Sequence, residues 1–199
     1  EGVFMGHFSS GGSGAQSSLT TYIGALASTS TTASIGNGTY HVGFNQTDAS
    51  FAGKLGSNVH KYGTGKWTLT GTENSGNLFI REGTVIVNNT SGQAANQVNI
   101  MSGGTLAGKG FIKSVSMKKG GRISTGQSST LKETLTINGT LSSEGGATVV
   151  IHCNAYSTDK IHFIGNATFG KDTLEIVLNG RTLTAGDELQ VFEIDKTLT

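Results

Sequence analysis

Glycine followed two residues later by an apolar side chain recurs along this chain at intervals too short for a self-contained unit. The series is Gly38-Thr39-Tyr40, Gly65-Lys66-Trp67, Gly83-Thr84-Val85, Gly104-Thr105-Leu106, Gly121-Arg122-Ile123 and Gly139-Thr140-Leu141. Its glycines lie 27, 18, 21, 17 and 18 residues apart. A repeat of that length cannot bury its own apolar face, so it must stack on its neighbours and build a solenoid. Glycine serves the sharp corner of each coil, and the apolar residue two places on points inward onto its counterpart one coil away. The spacing predicts one internal column of Tyr40, Trp67, Val85, Leu106, Ile123 and Leu141. A second, of Val42, Leu69 and Val87, fades at Gly108, Thr125 and Ser143.

The segments between glycines read as strands. They are short, they alternate apolar and polar residues, and none keeps a helical period. Gly supplies 31 of the 199 residues and Pro none, whereas a disordered Gly-rich linker would normally carry both. Only 14% of residues are charged, so the polar faces must be built from hydroxyls and amides. Asn37-Gly38, Asn138-Gly139 and Asn179-Gly180 are hairpin signals that would suit a two-sheet sandwich. The first two coincide with the repeat glycine, and the coil-length spacing favours a parallel β-helix. Residues 1–33 are expected to form an irregular N-terminal segment or cap, within which Leu19–Leu26 fits either a strand or one helical turn. Residues 34–145 hold the regular coils. Residues 146–199 form wider terminal coils or a β cap of the same domain.

Several function classes find no support. Net charge is +1 with no basic block, so no nucleic-acid partner is expected. No apolar run approaches the roughly 18 residues that span a bilayer. Cys153, the single cysteine, shares an inward face with Val149 and Ile151 and allows neither an internal disulfide nor a thiolate cluster. His7, His41, His60, His152 and His162 lack metal-ligand spacing, with His152 facing outward beside Cys153. Asp48, Glu73, Glu82, Glu133, Glu144, Asp159 and Asp172 are scattered, and no two are expected one coil apart in a catalytic row. Asp187-Glu188, the adjacent acidic pair, falls in a turn-to-strand element. No nucleophile elbow or phosphate loop occurs. No cofactor or metal is expected. The repeat turns Trp67 inward, which leaves Tyr22, Tyr62 and Tyr156 as surface aromatics for sugar contact. The chain begins at Glu1 without Met or a signal sequence, which suits a mature or excised fragment.

Lys61-Tyr62-Gly63-Thr64-Gly65-Lys66-Trp67-Thr68-Leu69-Thr70-Gly71, followed by Arg81-Glu82-Gly83-Thr84-Val85-Ile86-Val87-Asn88-Asn89, resembles the autotransporter-associated β-strand repeat. Gly103-Gly104-Thr105-Leu106-Ala107-Gly108 resembles its next coil, and Gly120-Gly121-Arg122-Ile123-Ser124 a later element, with Thr125 where that family commonly has Pro. The resemblance covers about residues 34–195. It implies an all-β, right-handed parallel β-helix from exported bacterial proteins, with an extracellular or cell-surface location and an adhesin-like role. The expectation is therefore a non-enzymatic segment that presents an adhesive surface to host or environmental glycans or matrix proteins, with the rest of a parent polypeptide flanking both ends. A polysaccharide lyase or glycoside hydrolase, or an accessory module of one, is the rival from another class. A mechanical spacer is the third.

Overall fold

A computed structural model describes residues 20–126, 132–154 and 157–195. Within them the chain is all-β, a stack of coils whose short strands pair in parallel with the coils before and after. The first sheet stacks Thr20–Ile23, Thr39–Val42, Asn58–Lys61, Asn77–Ile80, Gln97–Ile100, Ser114–Met117, Leu141–Ser143 and Ala167–Thr168. The second stacks Ala49–Phe51, Lys66–Leu69, Gly83–Val87, Gly104–Gly108, Arg122–Thr125, Thr148–Asn154 and Thr173–Asn179. A third face carries Ser34–Ile35 paired with Lys54–Leu55, and later Phe111–Ile112, Thr134–Ile137, Lys160–Phe163 and Phe192–Ile194. This is the parallel β-helix that the glycine spacing predicts. Every pairing between named strands is parallel, so the Asn-Gly dipeptides serve coil corners and not hairpins.

The registers correct the expected columns. Trp67, Val85, Leu106 and Ile123 do form one inward row, but Val149 continues it and Leu141 does not. Tyr40 and Leu141 lie in the first sheet, opposite Val59 and Val115. Val42 and Ser143 likewise belong to the first sheet, and the row of the second sheet runs Leu69, Val87, Gly108, Thr125. The cause is chemical: both corners of a coil use glycine before an inward strand, so one pattern marks two sheets. The intervals of 18, 21 and 17 are true coil lengths, whereas 27 and the last 18 step from one sheet to the other.

Coil length changes along the stack. Register partners Gln97 and Ser114 are 17 residues apart, whereas Val115 and Leu141 are 26 apart and Ile161 and Phe192 are 31 apart. The stacking also begins within the stretch expected to be irregular, since Thr20–Ile23 pairs with Thr39–Val42.

Burial follows the alternation. Val85, Leu106, Ile123, Leu78, Ile80, Val98 and Ile100 are wholly inaccessible, and each sits at an inward position of its strand. Trp67 is 2% exposed and donates from Nε1 to the Leu26 carbonyl at 2.9 Å. Cys153 is buried beside Ile151, as expected. One inward position carries a charge. Lys61 lies in register between Val42 and Ile80, 2% exposed, and reaches a corner of the coil. There its ammonium donates to the carbonyls of Tyr62 and Gly63, both at 2.7 Å. Burial pushes its pKa down, opposed by the charges of Glu82 and Asp48. The chain turns at Gly63 with φ +73°, and a Cβ there would overlap the Gly43 carbonyl oxygen, so a larger residue would push the coils apart.

The third face is discontinuous. Around residues 73 and 93 it has no strand, only an isolated bridge between Glu73 and Gln93. Side-chain amides there supplement a few irregular backbone bonds, such as Gln93 N–H to the Thr72 carbonyl at 2.8 Å. The buried Asn74 accepts the Leu55 N–H through its Oδ1, Gln93 donates to the Asn74 carbonyl at 2.7 Å, and the buried Asn89 accepts the Phe111 N–H at 2.9 Å. These bonds satisfy backbone groups that would otherwise be costly to leave unpaired.

Candidate functional site: an aromatic lane on the first sheet

In a parallel stack, an outward position repeated in register becomes a row of side chains running along the axis. On the first sheet one such row reads Tyr22, His41, His60, Phe79. Its ring centroids are 4.8, 4.8 and 4.5 Å apart, with His60 and Phe79 nearly parallel at 8°. Phe44 and Tyr62 add a second column just past the strand ends. Their rings stack at 5.3 Å, Tyr62 stacks on His41 at 5.4 Å, and Phe44 meets Tyr22 at 5.8 Å. Arg81 closes the far end. Its guanidinium lies 5.8 Å from the Phe79 ring centroid, and its Nε donates to His60 Nδ1 at 3.2 Å. Beyond Phe79 the row continues as Asn99, Ser116, Ser142 and Thr168, so its aromatic character ends.

Six rings and one guanidinium thus occupy a single outer face across four coils. Stacking alone accounts for His60 and Phe79, which are half-buried and have their faces covered. It does not account for Tyr22, 68% exposed, or Phe44, 45% exposed. Tyr22 is tilted 57° to His41 and 50° to Phe44, which leaves ring surface uncovered. A contiguous exposed aromatic patch of this kind suits binding, since single scattered apolar residues are ordinary and clusters are not. His60 is held below its ordinary pKa, first by burial, then by Arg81 and His41. The patch is therefore apolar with imidazole and phenol edges, and carries a fixed positive charge at one end.

Tyr22 and Tyr62 come together in this patch, each contacting His41 and Phe44. Tyr156 lies outside the described residues. His41 and His60, read from sequence as isolated, are ring partners. Phe44, Phe79 and Arg81 are not among the surface contacts expected from sequence, although Tyr22, His41, His60 and Phe79 recur every 19 residues.

No two carboxylates are expected from sequence one coil apart in a catalytic row; one pair, Glu133 and Asp159, does stand a coil apart, but it is buried. Glu133 and Asp159 immediately precede register partners Thr134 and Lys160. The Glu133 N–H donates to Asp159 Oδ1 at 2.7 Å, and Lys109 pairs with Glu133 Oε1 at 2.8 Å. The wide 26-residue coil creates this pair, and that length differs from every regular interval of the series. Glu133 is 5% exposed and Asp159 is inaccessible. Asp159 Oδ2 has no hydrogen-bond partner and lies against Gly126, where a Cβ would overlap it. Burial pushes the Asp159 pKa up, and the neighbouring Glu133 charge adds to the rise. The arrangement resembles an acid pair in chemistry, but a polymer would have no room beside it.

His7 lies outside the described residues, and two further candidates serve structure. His152 faces outward and bridges its neighbouring coils, Nε2 to Ser124 Oγ at 3.2 Å and Nδ1 to Asn179 Nδ2 at 3.3 Å. Asp187 accepts the Thr184 N–H at 2.8 Å and closes a turn. Among the described residues no group of three or more His, Cys, Asp or Glu could hold a metal ion. A shallow depression of about 400 Å³ lies where the third face is interrupted, lined by Thr72, Glu73, Asn74, Ser75, Gly92, Gln93 and Asn138. Glu73, its one carboxylate, is paired with Lys54. The chain matches no protein-family model and no curated protein.

Proposed function

We propose that this chain is a non-enzymatic segment of an extracellular β-helical rod that holds glycans on the aromatic lane of its first sheet. One observation carries the proposal: Tyr22, His41, Phe44 and Tyr62 form a contiguous, partly exposed ring surface with no internal task that requires its exposure. Sugars bind such surfaces through their apolar C–H faces, while ring nitrogens and phenols order the hydroxyls. The sequence likeness of Lys61–Gly71 to a repeat of exported adhesin-like proteins supports the location outside the cell. The closed setting of Glu133 and Asp159 favours binding over turnover.

The test is a glycan array and titration calorimetry with the chain and with Tyr22→Ala/Phe44→Ala, both outward positions. Binding should weaken at least about tenfold in the double variant, corresponding to about 1.4 kcal/mol, with β circular dichroism unchanged. Polymer cleavage lost on Asp159→Asn would support the enzyme instead. A rod that binds no glycan would be a spacer.

A further inference from the structure

Resting on the glycan reading of the lane, we infer that its ligand is an acidic glycan, one whose carboxylate docks at the Arg81–His60 end, and that acidification tightens the complex. Arg81 takes part in none of the ion pairs among the described residues. It is held instead by the Phe79 face and by the unprotonated Nδ1 of His60. Both contacts fix the guanidinium at the end of the ring lane, next to the column on which a sugar chain would lie. A carboxylate there would meet a planar, two-pronged donor, the geometry that guanidinium groups offer to such anions.

The groups facing His60 set the pH response. His41 stacks on it from the preceding coil, Phe79 from the following one, and Arg81 donates to it from the corner. Tyr62 packs on His41 beside it. The Lys61 ammonium next in sequence is turned inward to its carbonyl acceptors. Glu82, the carboxylate adjacent to Arg81, accepts the Gly63 N–H at 3.1 Å. His60 thus faces one cation and one imidazole. When it gains a proton, Nδ1 becomes a donor, its bond from Arg81 Nε is lost, and two positive groups stand side by side. An anion between them removes that conflict. By linkage the anion must raise the His60 pKa, and protonation must tighten anion binding by the same factor.

The experiment uses a hexuronate oligosaccharide and a neutral oligosaccharide of equal length as probes. Binding is measured by calorimetry at about pH 7.5 and pH 5.5, on either side of the ordinary histidine value. Imidazole titrations are followed by NMR with and without each probe. The uronate should bind at least about tenfold tighter than the neutral chain and tighter still at the lower pH, and should raise the His60 pKa. Arg81→Gln should abolish the uronate preference, read as the ratio of the two probes' affinities in the same variant. Equal affinity for both probes with no effect of Arg81→Gln would overturn the acidic-ligand inference and leave glycan binding standing. Binding of neither probe, or association of two copies through the patch, would overturn both.

Discussion

Trp67 offers the sharpest test of how the coils hold together. Its indole is 2% exposed, lies against Phe51 with ring centroids 6.4 Å apart, and donates to the Leu26 carbonyl, 41 residues earlier. Most contacts in a solenoid join one coil to the next, but this bond reaches past the intervening coil. Trp67→Ala removes a buried aromatic, which costs about 3–5 kcal/mol. It also leaves the Leu26 carbonyl without a donor, adding about 1–3 kcal/mol. Against a total stability of about 5–15 kcal/mol, that change endangers the fold. Trp67→Phe is the better probe, because it keeps most of the apolar area and deletes the N–H. Its expected cost is about 1–3 kcal/mol. The assay is urea unfolding followed by circular dichroism, with native-state hydrogen exchange to localise the effect. The Ser28 and Ala52 amides, which pair the Leu26 corner to the next coil, should lose protection most. In the wild type the sole tryptophan should emit as a buried indole and resist soluble quenchers. A Trp67→Phe variant within about 0.5 kcal/mol of wild type, with Ser28 and Ala52 unchanged, would refute this account.

Two further perturbations probe the corner and the buried acid. Gly108 has φ +112°, and a Cβ there would overlap the Val87 carbonyl oxygen, so Gly108→Ala should cost more than about 1 kcal/mol by denaturant midpoint; a neutral outcome would show that the coils can separate freely. Asp159 has a raised pKa in the fold, so its contribution to stability is fully present below the unfolded value of about 3.9 and is lost as pH rises through the folded value. Asp159→Asn keeps the acceptor for the Glu133 N–H and removes the titration. It should gain stability relative to wild type as pH rises from about 4 towards neutrality, read as diverging melting temperatures, and parallel curves would contradict the burial argument.

Much of the architecture was legible because glycine and alternation are local signals. Gly83, Gly104 and Gly121 mark true successive coils, and the inward role of Trp67, Val85, Leu106 and Ile123 follows from two-residue periodicity alone. What stayed hidden was lateral placement. Tyr40 and Leu141 follow the same Gly-x-apolar rule yet belong to the other sheet, because a corner looks alike in sequence wherever it falls in the coil. The carboxylate pair of Glu133 and Asp159 was invisible for a related reason: it depends on a 26-residue coil, and a change of period removes the ruler. At Lys61 periodicity and polarity disagree. Alternation places it inward, but only the nearby corner carbonyls explain how a lysine fits there. The aromatic lane, by contrast, is written plainly as rings at positions 22, 41, 60 and 79, a 19-residue period on the outward positions that the glycine series does not report.

The interruption of the third face has a mechanical consequence. On either side of residues 73 and 93 that face is laced by strand ladders, whereas between them a single bridge and a few irregular backbone bonds share the load with the side chains of Asn74, Asn89 and Gln93. Side-chain amides have rotatable bonds that a strand ladder lacks, so a bending load would collect at this level and spare the coils around it. The rod has a built-in point of compliance. It lies at the level of the coil that carries Phe79 and Arg81, so flexing there would be felt at the guanidinium end of the ring lane and not among Tyr22, His41 and Phe44.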